Sequence, residues 1–186
     1  MIIKTNPDEF ENFVVDASNF KGNCEAVYFP ENVNDIVSAI KDANTNKTKV
    51  TIAGNGTGLT GARVPQNGIV IATDKLNKIL EINQKDFYAV IEPAVLLSDF
   101  QKEIKQQNLF YPPDPTETNC YIGGTVATNA SGAKTFKYGP TRDYVIGLQV
   151  VLPDGEVIDL ERGKQKATGY DLTLTTQSGK NILIQI

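Results

Sequence analysis

The sequence predicts an α+β fold, in which a β-α-β unit over about residues 25 to 53 precedes a more antiparallel region. The first observation is an amphipathic helical pattern that lies between two short apolar runs. The second is a series of short apolar runs after it, separated by turn residues, which is typical of antiparallel strands. The third is Pro153-Asp154-Gly155 between two such runs, which predicts a hairpin.

The N-terminal part supplies the β-α-β unit. A short helix is predicted over residues 7 to 15 and a strand over Glu25 to Phe29. Asn32 is expected to cap the next helix through its side-chain oxygen. One apolar face of that helix has the spacing i, i+3, i+4 and i+7 and carries Val33, Ile36, Val37 and Ile40. Lys49 to Ala53 is the second strand, and a glycine-rich loop follows at its carboxyl end, where ligand sites of such units commonly lie.

The rest of the chain is predicted to be richer in antiparallel strands. Ser98 is expected to cap a helix over residues 99 to 107, and the proline-rich residues 110 to 119 can form neither a helix nor a central strand. The strand candidates are Ile69–Thr73, Ile79–Ile82, Tyr88–Ile91, Val145–Leu152, Glu156–Leu160 and residues 181 to 186.

Length, composition and charge limit the classes of function that this chain can have. The 186 residues suit one domain or two small subdomains. A net charge of −4 argues against nucleic-acid binding, which usually needs a basic patch. We find no signal peptide and no apolar run near the ~20 residues of a membrane span, and we expect a cytoplasmic protein. Cys24 and Cys120 are in no metal or redox spacing, so reduced thiols are expected.

Histidine is absent from the whole chain. Because histidine is the commonest general base and metal ligand, its absence excludes a Ser-His-Asp triad, a Cys-His pair and a histidine zinc site here. Chemistry must therefore come from other groups, from a bound cofactor or from other polypeptide.

Gly56, Gly58 and Gly61 spell G-x-G-x-x-G, the pattern of a Rossmann dinucleotide turn. That turn must open a helix, but Pro65 would break one almost at once and a strand-like run follows. A Walker phosphate loop is excluded as well, because Ala62 stands where that motif has lysine. The glycines therefore need another explanation.

Two further clusters are short of bulky side chains: residues 122 to 133 and residues 137 to 144. Small residues let backbone N–H groups approach a ligand closely, and a pyrophosphate accepts many such hydrogen bonds. Each cluster alone is also consistent with a plain turn, and Arg142-Asp143 with a surface ion pair. Three such clusters in one small chain favour a ligand.

Three segments carry a family resemblance: "GNGTGLTGARVP", the long segment from "PPDPTETNCYIGG" to "LPDGE", and "TGYDL". Across residues 22 to 172 the chain resembles the FAD-linked oxidases, within the vanillyl-alcohol oxidase superfamily with its PCMH-type FAD-binding fold. It is most similar to the D-lactate dehydrogenase and glycolate oxidase FAD-subunit group. The resemblance implies two α+β subdomains with FAD between them. Residues 1–20 would be an N-terminal helical segment, with the FAD-binding domain over 21–186, divided into 21–75 and 76–186.

The resemblance also implies which residues contact FAD, and it implies neither a catalytic residue nor a metal ligand in this chain. The pyrophosphate would be wrapped by Gly54, Asn55, Gly56, Thr57, Gly58, Leu59 and Gly61. Pro113 and Asp114 would line the flavin end. The second wall would consist of Gly123, Gly124, Ala127, Thr128, Asn129, Ser131 and Gly132. That wall and the nucleotide half would be fixed in part by Tyr138, Gly139, Thr141, Arg142 and Asp143.

Three departures from the family pattern qualify the resemblance. No histidine is available for the covalent attachment that some members use, so FAD is expected to be bound non-covalently. Ala62 replaces the second glycine of a common Gly-Gly pair. The family's "GSEGTLG"-like segment and its substrate-binding cap do not follow "TGYDL". We therefore expect an N-terminal fragment of a longer enzyme that, expressed alone, is inactive and largely free of FAD.

The implied function is oxidation of a 2-hydroxy acid, of the D-lactate or glycolate type, to the 2-oxo acid. In the parent reaction the flavin takes a hydride, a base takes the hydroxyl proton, and an electron acceptor regenerates the flavin. The alternatives are a non-catalytic FAD- or nucleotide-binding module and a UDP-N-acetylenolpyruvoylglucosamine reductase. Oligomeric state, partner subunits and peripheral membrane association of the parent enzyme stay open.

Overall fold

The computed structural model describes residues 1–161 and 183–185, which form two compact units. Unit 1 comprises Met1–Leu76 and Val151–Val157, and unit 2 comprises Asn77–Val150 together with the described residues 158–161 and 183–185. Each unit combines one sheet with helices, so the predicted α+β class is confirmed. The "TGYDL" segment lies outside the described residues, and the domain boundaries drawn from the sequence stay a prediction.

The sheet of unit 1 has four strands in the order β1-β2-β4-β3. They are β1 (Ile2–Lys4), β2 (Ala26–Phe29), β3 (Val50–Ala53) and β4 (Ile69–Ala72). The expectation that β4 opens the antiparallel part is wrong: it lies between β2 and β3 and runs parallel to both. All four of its residues are buried, which is typical of a central parallel strand covered on both faces.

Helix α1 (Val33–Asn46) begins as predicted, because the Asn32 side chain accepts a hydrogen bond from Asp35 N–H at 3.0 Å. Of the predicted apolar face, Ile36 is buried and the other three residues are half-buried. The buried stripe continues instead through Ala39 and Ala43, because small side chains let the helix approach the sheet closely.

The predicted helix over residues 7 to 15 is replaced by two short 3-10 turns, Pro7–Glu9 and Glu11–Phe13. Phe10 separates them with a non-helical backbone (φ −140°, ψ 22°). Its side chain is buried in the core of unit 1, so tertiary packing interrupts the helical run.

The sheet of unit 2 is mixed, with five strands in the order β5-β6-β9-β7-β8. They are β5 (Ile79–Asn83), β6 (Tyr88–Ile91), β7 (Gly147–Val151), β8 (Val157–Glu161) and β9 (Leu183–Gln185). The pair β5 and β6 is antiparallel, whereas β9 runs parallel to both β6 and β7. The hairpin predicted at Pro153-Asp154-Gly155 joins β7 to β8. Residues 181, 182 and 186 of the predicted last strand lie outside the described residues.

In the described residues of unit 2 the helices are α2 (Leu97–Gln106), α3 (Ile122–Thr128) and α4 (Thr135–Tyr138), followed by a 3-10 turn at Thr141–Tyr144. The predicted cap at Ser98 is wrong, since α2 begins two residues earlier than predicted, at Leu97, and has no side-chain cap. The N–H groups of Leu97 and Ser98 donate instead to the carbonyls of Cys120 and Thr118. Carbonyls at the end of the proline-rich segment and just after it therefore accept the hydrogen bonds of the N–H groups at the start of α2.

A separate apolar core supports each unit. In unit 1 it contains Phe10, Val27, Phe29, Ala53, Val70 and Ala72, and in unit 2 it includes Ile91, Leu97, Phe100, Tyr111, Ile122 and Val126. Within the part of the chain that the structure describes, none of the helices combines the length and apolar character that crossing a membrane requires.

Candidate functional site

The glycine-rich loop of unit 1 is the connection between β3 and β4, residues 54 to 68. It takes the place of the helix that usually joins neighbouring parallel strands. Gly56 and Gly61 have φ values of 74° and 72°, in the left-handed region that favours glycine. A Cβ atom on Gly58 would meet nothing within 4 Å. The loop therefore follows the carboxyl end of β3 and has open space beside Gly58.

Arg63 attaches the beginning of this loop to the body of unit 1. Its Nη1 donates to the carbonyl of Gly54 at 2.6 Å, and its Nη2 donates to the carbonyl of Asn12. The guanidinium also lies over the ring of Phe13, 5.4 Å from its centroid. The sequence reasoning did not identify Arg63, although it stands inside the quoted glycine motif.

Asp16 attaches the end of the loop. Its carboxylate accepts hydrogen bonds from Gly61 N–H at 2.9 Å and from the N–H and hydroxyl of Ser18. Burial alone would raise the pKa of Asp16, but these hydrogen bonds and the charge of Arg63 lower it below its ordinary value. The sequence signal for such a role was weak, because Asp16-x-Ser18 reads only as a local turn.

These attachments orient the peptide groups of the loop. The carbonyl of Gly56 accepts from Ala17 N–H at 3.0 Å. In a planar trans peptide the N–H points opposite to the C=O, so Thr57 N–H points away from Ala17. Among residues 1–161 we find no acceptor for the backbone N–H groups of residues 56 to 60. The outward N–H of Thr57, beside further N–H groups without an acceptor among residues 1–161, favours an anion, and the open space at Gly58 admits one.

A cavity of about 500 Å³ lies beside this loop within unit 1. Its lining is mostly polar and consists of Asn12, Phe13, Val15, Asp16, Gly54, Asn55, Gly56, Arg63 and Asp74. The two attachments of the loop, Arg63 and Asp16, thus form part of its wall.

Helix α3 divides the predicted residues of unit 2 into two groups. Gly124, Ala127 and Thr128 are exposed on one face, and a Cβ on Gly124 would meet nothing within 4 Å. Gly123 is buried on the opposite face, where its Cβ would lie 2.6 Å from the Cβ of Pro93. Gly124 is therefore available to a ligand, and Gly123 is required by packing.

The segment after α3 is brought against the proline-rich segment. A Cβ on Gly132 would lie 1.6 Å from the carbonyl oxygen of Asp114, and Pro115 and Gly132 form an antiparallel bridge. Lys134 forms an ion pair with Asp114 at 3.1 Å. Predicted residues from two distant parts of the sequence, Asp114 and Gly132, are thus in direct contact.

Within the predicted cluster of residues 137 to 144, most residues support the cluster of residues 122 to 133. Thr141 is fully buried, and its hydroxyl donates to the carbonyl of Ala130 at 2.8 Å. Arg142 N–H donates to the side chain of Asn129 at 3.0 Å. A Cβ on Gly139, whose φ is 87°, would lie 2.1 Å from Asp143 Oδ2.

The remaining predicted residues differ in exposure. Pro113 is buried, and its carbonyl accepts from Gln101 at 3.0 Å. Ser131, Tyr138 and the side chain of Arg142 are exposed, as are Asn55 and Leu59 in unit 1. Their assignment as ligand contacts stays a prediction.

Comparison with known proteins gives a consistent picture. The profile of the FAD binding domain family matches residues 24–161. A D-lactate dehydrogenase from Anaerostipes hadrus is 40% identical over 154 residues, which are 82% of this chain and 32% of the relative. The glycolate oxidase subunit GlcD from Bacillus subtilis (strain 168) is 37% identical over 152 residues, 80% of this chain and 32% of the relative.

The fold has counterparts among solved structures. Alkyldihydroxyacetonephosphate synthase superposes with a TM-score of 0.78 at 20% identity, over 94% of this chain and 37% of that protein. In sequence, the chain spans about a third of the length of the two curated relatives named above. The glycine loop, whose N–H groups from Gly56 to Thr60 have no acceptor among residues 1–161 and which has open space at Gly58, fits the pyrophosphate of FAD. The chain belongs to the FAD binding domain family, and its cofactor is FAD.

Proposed function

We propose that this chain is the FAD-binding domain of an oxidoreductase that converts a 2-hydroxy acid of the D-lactate or glycolate type to the 2-oxo acid. The observation that carries the proposal is the glycine loop of unit 1, whose N–H groups from Gly56 to Thr60 have no acceptor among residues 1–161 and would bind an anion. The names of the relatives, a D-lactate dehydrogenase and a glycolate oxidase subunit, supply the substrate class.

Each unit would contribute its own contacts to FAD. In unit 1 the N–H groups around Thr57 and Gly58 would bind the pyrophosphate. In unit 2 the exposed face of α3, with Gly124 and Thr128, would allow a close approach of the cofactor. When bound, the flavin supplies the acceptor for the hydride that the hydroxy acid loses.

The chain's own side chains would hold and orient the cofactor, and no proton transfer is assigned to them. It contains no histidine, and no catalytic base is assigned to it. Burial raises the pKa of Cys24, and it raises the pKa of Cys120 to about 11, so both thiols are protonated near neutral pH. Neither cysteine is therefore proposed as a nucleophile.

We further propose that FAD is bound without a covalent bond, because the chain has no histidine that could attach it. Heat or acid treatment of the full-length gene product should release free FAD into the supernatant. Yellow colour that stays with the precipitated polypeptide would contradict this.

The proposed partners are the 2-hydroxy acid and an electron acceptor, in a cytoplasmic protein. The name of the Bacillus subtilis relative describes a subunit, which is the reason to look for a partner subunit here. The alternatives are a non-catalytic FAD module and a UDP-N-acetylenolpyruvoylglucosamine reductase. The similarity to a D-lactate dehydrogenase favours hydroxy-acid oxidation over both.

The decisive experiment is anaerobic reduction of the flavin in the purified full-length gene product. D-lactate or glycolate should bleach the visible flavin absorbance, with L-lactate as the stereochemical control for the former. Flavin that no 2-hydroxy acid reduces would contradict the proposal and favour the non-catalytic module. Reoxidation of chemically reduced flavin by UDP-N-acetylglucosamine enolpyruvate would favour the reductase.

A further inference from the structure

We propose that Arg63 and Asp16 are positioning residues that preset the glycine loop for the pyrophosphate of FAD, a role that rests on the proposed function. Neither residue needs to touch the cofactor. They would act through the loop, by fixing the orientation of its peptide groups before the cofactor arrives.

Arg63 fixes the first residues of the loop through three contacts. It donates to the carbonyls of Gly54 and Asn12 and lies over the ring of Phe13. The guanidinium also fills the space behind Gly56, where a Cβ would lie 2.5 Å from Nη1. A planar fork of donors is needed to reach two carbonyls at once, so lysine cannot substitute for arginine here.

Asp16 controls the exit of the loop. It accepts from Gly61 N–H at 2.9 Å, and the next residue, Ala17, donates to Gly56 at 3.0 Å. The carboxylate is only 7% exposed and is held in turn by the N–H and hydroxyl of Ser18. One short N-terminal stretch, residues 12 to 18, therefore holds both ends of the loop.

The consequence for binding follows from peptide geometry. The carbonyl of Gly56 is bonded inward to Ala17 N–H, so the N–H of Thr57 points outward, and Arg63 fixes the Gly54 peptide that precedes it. A loop without these attachments would have to order several residues when the anion binds, and that entropic cost would weaken binding. Arg63 also places a positive charge against the back of Gly56, on the side of the loop that the Gly54 carbonyl faces.

Three variants of the full-length gene product test the proposal: Arg63→Met, Arg63→Lys and Asp16→Asn. Lys102→Met, which removes an exposed cation from α2, is the matched control. Two measurements are made on each protein: amide hydrogen exchange without ligand, and the FAD dissociation constant from flavin fluorescence. Urea denaturation shows whether the fold is kept.

In Arg63→Met, the amides of Ala17 and Gly61 should lose protection while those of β4 keep theirs, and the FAD dissociation constant should rise about tenfold. Arg63→Lys should show most of both effects, because it keeps the charge but cannot bridge the two carbonyls. Asp16→Asn should expose the Gly61 amide. Lys102→Met should change neither measurement.

The proposal is overturned if Arg63→Met leaves the Ala17 and Gly61 amides protected, or if Arg63→Lys binds FAD as the unchanged chain does, since charge alone would then suffice. Should the unchanged full-length gene product bind no FAD, the proposed function fails. The exchange data still judge the positioning role, because they are measured without ligand. If Arg63→Met does not fold, Arg63→Lys and Asp16→Asn supply the same two measurements.

Discussion

Glycine has different roles in the two units. In the loop of unit 1, Gly58 faces open space, and Gly56 and Gly61 adopt left-handed backbone conformations. In unit 2, Gly123 and Gly132 lie where a Cβ would collide with Pro93 and with the Asp114 backbone. The first group leaves room for a ligand, whereas the second allows two backbone segments of the same unit to meet.

This difference shows why a count of small residues is a weak guide to a binding site. Both regions are equally poor in bulky side chains, yet in unit 2 only part of the glycine content is free for a cofactor. Gly124 is the exception there, because its Cβ position is open. Substitution of single glycines can therefore separate cofactor contact from packing.

Gly58→Val in the full-length gene product should have the largest effect on the cofactor. A branched side chain at Gly58 would occupy the space in front of the N–H groups, and FAD retention should be lost. The fold should be kept, because Gly58 is not among the glycines with positive φ and contacts no neighbour. The flavin absorbance per purified polypeptide is the measurement, with circular dichroism as the control. Unchanged flavin content would contradict the site assignment.

Gly132→Ala and Gly124→Ala form a pair within unit 2 with opposite expected effects on stability. The alanine at Gly132 would overlap the Asp114 carbonyl, so the free energy of unfolding should fall by about 3 kcal/mol. The alanine at Gly124 lies in α3 with open space, so the free energy of unfolding should rise by about 0.5–1 kcal/mol.

Urea denaturation followed by far-UV circular dichroism measures both changes, and a flavin titration accompanies them. If Gly124 faces the cofactor, Gly124→Ala should weaken FAD binding while it stabilises the protein. Equal destabilisation by both substitutions would remove the distinction between packing and ligand-facing glycines.

The sequence predicted the local elements well, because helices and strands are encoded by residues near one another. Asn32 and the apolar spacing after it were sufficient for α1. The parallel position of β4 was not predictable, since it depends on pairing with β2 and β3. The hydrogen bond from Gly61 N–H to Asp16 joins irregular segments 45 residues apart, and no periodic pattern in the sequence predicts such a contact.

Acid should loosen the loop of unit 1 by protonating Asp16. Its pKa is lower in the folded protein than the ordinary value of about 3.9. The associated stability is therefore fully present above about pH 4 and is lost as the pH falls through the lower folded pKa. Amide exchange of Gly61, corrected for intrinsic rates, should show loss of protection in that window.

Asp16→Asn should flatten this dependence, and Asp35→Asn is the comparison. The pKa of Asp35 is also lowered, first by Glu31 N–H and then by the N-terminal amine, but Asp35 lies at the start of α1. Asp35→Asn should leave the Gly61 amide dependence intact. The same acid response in Asp16→Asn as in the unchanged chain would exclude Asp16 as its source.

The smallest expected effects distinguish how the first helix of each unit begins. Asn32→Ala removes the side-chain acceptor for Asp35 N–H, so unfolding should become easier by about 1 kcal/mol. Ser98→Ala should change the free energy of unfolding by no more than about 0.5 kcal/mol. The N–H groups of Leu97 and Ser98 already donate to the carbonyls of Cys120 and Thr118, so the start of α2 does not depend on a hydroxyl. Urea midpoints measured side by side decide the matter: a cost for Ser98→Ala equal to that for Asn32→Ala would show that the hydroxyl caps α2 in solution.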